Sequence, residues 1–307
     1  MSTSHPVDQL FHELQKTIKV YPDSVIAVEE KQRQKKGTGF FPVYNGLWYS
    51  TPKSKRPDFP KGGIMVLGHD FGTKDYTNKK REKTGENLEG ATWRNIRKVF
   101  KEAKIRQQDC FFTNSYMGLR KEGKMTGRHP SASEEEFVQQ CQSFLKQQIA
   151  KQQPKLIITL GLYVPPFLAK LAQKGMKKWL SVKGVEDINN KNARHKKIRF
   201  SDPANTESTV VALLHPSMRS SNLKWRRYKR KSGAEAEKQL LLDAIKWSGI
   251  KQGEDSWNFP SFERSPAKKR ILLVARVSYK ETKGEGEPPC SSIWWSRSRH
   301  EQKSYNI

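Results

Sequence analysis

Apolar positions in this chain fall into short uninterrupted runs, separated by stretches in which they recur every three or four residues. The runs cover residues 64–67, 110–113, 156–160 and 210–214. Each is short and rich in Ile, Val, Leu or Phe, which predicts strands buried on both faces. Between them the spacing is helical. Ile96, Val99, Phe100 and Ala103 follow Thr92 as a predicted N-cap. Phe137, Cys141, Phe144, Leu145 and Ile149 follow Ser133, with Glu136 at the capping-box position. Phe167, Leu168 and Leu171 follow Pro165 and Pro166, which suit a first helical turn. Leu240, Leu241, Ala244 and Ile245 mark a helix over residues 233–247. Alternating strand and helix patterns predict a three-layer α/β/α domain around a four-stranded parallel sheet, over residues 61–248.

Flanking segments carry weaker patterns. Residues 1–60 read as a weakly structured lead-in with one helix near residues 8–18, marked by Leu10, Phe11, Leu14 and Ile18. The aromatic, turn-prone stretch 40–49 packs on the sheet or lines a groove. Residues 249–307 read as a basic, flexible tail with one strand-like run at 271–274 and the pair Trp294 and Trp295.

Composition narrows the partner. The 307 residues include 58 Lys plus Arg against 31 Asp plus Glu, a formal net charge of +27, with mean hydropathy −0.84. Such an excess favours phosphate polymers, because neutralising phosphates releases condensed counterions. Between residues 215 and 231 stand Arg219, Lys224, Arg226, Arg227, Lys229, Arg230 and Lys231, interleaved with Trp225 and Tyr228 and without an acidic residue. Cations alternating with aromatics neutralise phosphates and stack on bases; a solvated basic face is the alternative. A second basic cluster comprises Lys79, Lys80, Arg81 and Lys83. Cys110, Cys141 and Cys290 match neither a disulfide framework nor a zinc site. The polar first ten residues and the lack of a membrane-length apolar run lead us to expect a soluble intracellular protein, cytoplasmic, nucleoid or nuclear.

Candidate chemistry sits at the ends of the predicted strands. Gly68, His69 and Asp70 follow the first run, Asn114 the second, and His215, Pro216 and Ser217 the fourth. Ligands of parallel α/β sheets bind outside the carboxyl ends of the strands, so these groups are expected to converge on one pocket. The ordered series 66–70, 112–114, 157–161 and 214–217 resembles the motifs of the uracil-DNA glycosylase superfamily. Residues 113–158 and 215–222 are most similar to its iron–sulfur branch. Asp70 stands where the uracil-strict branch has its catalytic aspartate, and His69 where the iron–sulfur branch has a glutamate.

That resemblance implies base excision from DNA. Hydrolysis of a base–deoxyribose bond passes through an oxocarbenium-like state with an anionic leaving base. Asp70 would orient or activate water and stabilise the sugar, with His69 as an alternative group to position the water. His215 would hydrogen-bond the base carbonyl, and Asn114 would read the flipped base. Phe71 or Trp93 would stack on it. Ser217, Met218, Arg219, Lys224, Trp225, Arg226 and Arg227 would contact DNA, with Met218 as the wedge. Departures from the family pattern matter too. Phe71 and Gly72 follow Asp70 where the uracil-strict branch has proline and a methyl-blocking tyrosine. Only Cys141 matches a cluster cysteine, and Gly118 stands where another is expected, so neither metal nor other cofactor is expected. The competing readings are a non-catalytic nucleic-acid-binding module with this fold and an α/β enzyme that uses residues 68–73 to hold a nucleotide phosphate.

Overall fold

A computed structural model describes residues 4–28, 37–51, 54–74, 85–123 and 125–253, and the backbone of 292–297 and 301–306. The basic cluster at 79–83 and the run at 271–274 lie outside these. Four apolar runs form strands β2 (Ile64–Gly68), β3 (Cys110–Asn114), β5 (Leu156–Leu160) and β7 (Glu207–Leu213). Two ribbon strands are β1 (Val25–Ile26) and β4 (Leu119–Arg120). The sheet has five strands in the order β3-β2-β5-β7-β6, where β6 is Arg194–Arg199. β3, β2, β5 and β7 are mutually parallel; β6 joins β7 antiparallel.

The four-stranded parallel sheet expected from the runs is present, and β6 extends it at one edge as a fifth, antiparallel strand. β6 reads Arg-His-Lys-Lys-Ile-Arg, with only Ile198 fully buried, so it lacks an apolar run. Charged residues on an edge strand blunt pairing with another chain. Its register shifts between His195 and Ile198, where Lys197 has φ +51°.

Helices complete the three layers. α1 (Pro6–Thr17), α2 (Ala91–Glu102), α3 (Glu135–Gln152), α4 (Val164–Ala169), α5 (Val185–Asn190), α6 (Arg219–Asn222) and α7 (Gly233–Ser248) follow in chain order. Trp93, Ile96, Val99 and Phe100 form the buried face of α2, and Phe137, Cys141, Phe144, Leu145 and Ile149 that of α3. Two predicted caps shift by a residue or two. Gly90 precedes α2 in place of Thr92, and Glu134 precedes α3 in place of Ser133; neither makes a side-chain capping bond. Between α6 and α7 lies a small ribbon of β8 (Arg227–Tyr228) and β9 (Lys231–Ser232).

The described residues of the lead-in pack against the domain instead of forming a weakly structured segment. α1 lies against α3, where Gln140 Oε1 accepts from Lys19 N at 2.7 Å. Phe41, Val43 and Tyr44 are completely buried. Phe41 packs against Phe11, Phe111 and Phe144 with centroids 4.7, 5.8 and 6.1 Å away. Its N–H donates to Phe112 O at 2.9 Å, and Phe112 N–H donates to Gly46 O at 2.8 Å, so this segment runs along β3. Of the two expected roles for the aromatic stretch, packing on the sheet is the one most of its residues adopt. A separate unit from residue 262 contains an antiparallel hairpin, β10 (Ser292–Arg297) with β11 (Glu301–Asn306).

Candidate active site

At the carboxyl end of the parallel strands a cavity of about 460 Å³ is lined by Gly68, His69, Asp70, Asn114 and His215. Asp70, Asn114 and His215 therefore share one hollow although they lie far apart in sequence. Phe40, Phe71, Trp93, Tyr163, Ser217 and Met218 also line it.

Two glycines make this convergence possible. Gly68 pairs in register with Asn114 across β2 and β3, and a Cβ at position 68 would overlap Asn114 Oδ1. Its counterpart just past the end of β5 is Gly161, at φ +88°, whose missing side chain leaves room for the His215 ring. Asn114 is buried, and its carboxamide has no hydrogen-bond partner among the described residues. An unpaired amide at a cavity wall is available to a ligand with complementary donors and acceptors.

Both oxygens of the Asp70 carboxylate are bonded within the protein. Oδ1 accepts from Gly72 N at 2.7 Å, while Oδ2 accepts from Arg120 Nη2 at 2.7 Å and from Arg120 Nε at 3.2 Å. His69 Nδ1 lies 2.9 Å from the same Oδ2. Burial alone would raise this carboxyl, but the bonds from His69 and Arg120 outweigh it and hold the group far below its ordinary range. Arg120 also donates to Thr126 O at 3.3 Å and Gly127 O at 3.0 Å. It stands in β4, paired with Val25 of β1.

His215 presents a different imidazole. Ser217 Oγ lies 2.9 Å from its Nδ1, and burial lowers its pKa, which favours the neutral ring. A Ser217 hydroxyl that donates to Nδ1 leaves an N–H on Nε2. The loop is anchored by Glu237 of α7, which accepts from Leu214 N at 2.8 Å and from Arg219 Nε at 2.6 Å.

Placement of the remaining predicted residues is uneven. Trp93 belongs to a packed aromatic cluster with Phe40, Trp48 and Phe112, its Nε1 donating to Glu86 Oε2 at 2.8 Å. Phe71 is also buried. Met218 is 44% exposed at the cavity rim. Lys224 and Trp225 are exposed, with Lys224 Nζ 5.0 Å from the indole centroid; Arg227 is exposed as well. Arg219 and Arg226 are corrections: expected on DNA, both are buried side chains bonded within the protein. Arg219 is buried on Glu237, and Arg226 is completely buried, donating to Ala212 O at 2.9 Å and Asn189 Oδ1 at 3.1 Å. The pattern of charges gives no sign of this, because their acceptors lie outside the run.

Phe40, Arg120 and Tyr163 escaped the sequence reading as site residues. Phe40 Cε1 and Asn114 Oδ1 crowd the same face of Gly68. Tyr163 stacks on His69 at 5.0 Å. Only Tyr163 carried a signal, following Gly161 at a strand end. The chemistry of the cysteines does not fit an iron–sulfur cluster. A Cβ at position 118 would overlap Val25 Cγ1, and burial pushes the Cys141 thiol up to about 12. Among the described residues no group of three His, Cys, Asp or Glu could hold a metal.

This arrangement agrees with comparison to known families. The model of the Uracil DNA glycosylase superfamily matches residues 57–239, more than half of the chain. The chain belongs to the uracil DNA glycosylase superfamily. Comparison with curated proteins returns no match. Within the superfamily match lie all the strand-end groups of the cavity and the sheet that carries them. Among the described residues no helix is long and apolar enough to cross a membrane.

Proposed function

We propose that this protein is a DNA glycosylase that hydrolyses the N-glycosidic bond of uracil or a related damaged base. The observation that carries this reading is the shared cavity of Asp70, Asn114 and His215. A base flipped into it meets the unpaired Asn114 carboxamide, which offers both a donor and an acceptor to a pyrimidine edge. Phe40, beside Asn114, is the ring we assign to stack on that base. As the C1′–N bond breaks, negative charge grows on the base carbonyl, and a neutral His215 donating from Nε2 stabilises it. The buried Asp70 carboxylate supplies negative potential for the cationic sugar. Met218, Lys224, Trp225 and Arg227 are assigned to the DNA, with Met218 as the wedge that fills the vacated position.

Purified protein should leave abasic sites, cleavable by hot alkali, in an oligonucleotide carrying uracil or another deaminated base. No release from any member of a panel of deaminated, oxidised and mismatched bases overturns the reading. A second reading draws on the bonds that tie both Asp70 oxygens to the protein: a module that binds nucleic acid without cutting it. It would retain the oligonucleotides and yield no abasic product.

A further inference from the structure

We propose that His69, and not Asp70, takes the proton from the attacking water, with Asp70 as its positioning residue; this rests on the glycosylase reading above. Both Asp70 oxygens are committed, one to Gly72 N–H and the other to Arg120 and His69. With Arg120 and His69 crowding Oδ2, a single lone pair remains on Oδ1 beside its bond from Gly72 N–H, and the carboxylate acts first as an anchor. It fixes a neighbour. An imidazole that donates Nδ1–H to a carboxylate holds the tautomer in which Nε2 carries the lone pair.

Geometry directs that lone pair to use. His69 lines the cavity, and its Nε2 has no hydrogen-bond partner among the described residues. Its ring is clamped by Tyr163, stacked at 5.0 Å, and by Tyr116 and His129, edge-on at 5.4 and 6.2 Å. Arg120, buried and bonded to Asp70 and to the carbonyls of Thr126 and Gly127, fixes the carboxylate in turn. The assembly is a carboxylate–imidazole pair held on every side.

In the step, a water hydrogen passes to His69 Nε2 as the water oxygen forms its bond to C1′. The C1′–N bond breaks, and its electron pair leaves with the base, whose carbonyl oxygen is hydrogen-bonded by His215. No oxidant, reductant or further reactant is needed. Charged and titratable groups facing His69 are Asp70, Arg120, Tyr116, His129, Tyr163 and His215.

Single-turnover base release by full-length wild type, His69→Gln, Asp70→Asn and the double variant tests this, on whichever oligonucleotide the wild type cleaves. We expect His69→Gln to slow release by about 10²- to 10⁴-fold, with unchanged affinity for an uncleavable duplex. The wild-type rise of rate with pH on the acid side should vanish in His69→Gln. The double variant should be no slower than the slower single variant, because residues acting as one unit are not additive. A His69→Gln rate within about threefold of wild type, retention of the acid-side rise, or multiplicative losses in the double variant overturns the proposal while leaving the glycosylase reading intact. Wild type that releases no base overturns both. Should Asp70→Asn fail to fold, the pH profile of His69→Gln decides.

Discussion

Asn114 occupies the space that a side chain at position 68 would need, so the smallest change at Gly68 acts directly on the base-reading amide. Gly68→Ala should cost about 1–3 kcal/mol of stability from overpacking and weaken capture of an extrahelical base. Urea unfolding beside base-release kinetics separates the two effects. His215→Ala should lower single-turnover release by about 10²–10³-fold, the loss typical of one donor to a developing oxyanion, with little change in duplex affinity. Asp70, Asn114 and His215 were legible in sequence because strand-end position and residue type speak together. Phe40 and Arg120 were not: one arrives from the lead-in and the other from a two-residue strand, and neither has a local pattern. Arg219 and Arg226 misled for a related reason, since a charge run records cations but not the buried carboxylate and carbonyls that absorb them.

At the scale of elements, the loop after β7 is held to α7 by one carboxylate. Glu237 bonds Leu214 N and Arg219, and Arg226 Nη2 lies 3.9 Å away. Removing one partner of a buried ionic group leaves uncompensated charge, so Glu237→Gln should destabilise the protein by about 3 kcal/mol. The same variant should slow base release more than it weakens DNA binding, because the loop it frees carries His215; melting curves and single-turnover kinetics check both. The parallel strands were readable from continuous apolar runs, whereas β6 was hidden by its Arg, His and Lys residues. An edge strand tolerates such a sequence because one of its sides faces no neighbour in the sheet.

For the molecule as a whole, pH and salt probe different groups. Burial lowers the His129 pKa to about 3 from 6.5, while the unfolded chain keeps the ordinary value. Between those limits the unfolded state binds more protons, so stability falls as pH falls, by about 1.4 kcal/mol per unit for this residue. His195 and His215, also lowered by burial, add to the same slope. Urea titrations from pH 7 to 4 should show this decline, and His129→Gln should flatten it. DNA affinity should fall steeply with salt for a chain of net charge +27. Lys224→Ala and Arg227→Ala should each reduce the slope of log affinity against log salt by about 1 if each contacts one phosphate.

The segment 40–49 carries a further consequence. It is threaded against β3 and supplies Phe40 to the cavity wall, yet it lies upstream of the region that the superfamily model matches. A fragment trimmed to residues 57–239 would expose Phe111 and Phe144 to water and open the hollow on one side. Boundaries for expression, or for grafting this fold onto another protein, therefore belong before α1 rather than at the edge of the recognisable motif.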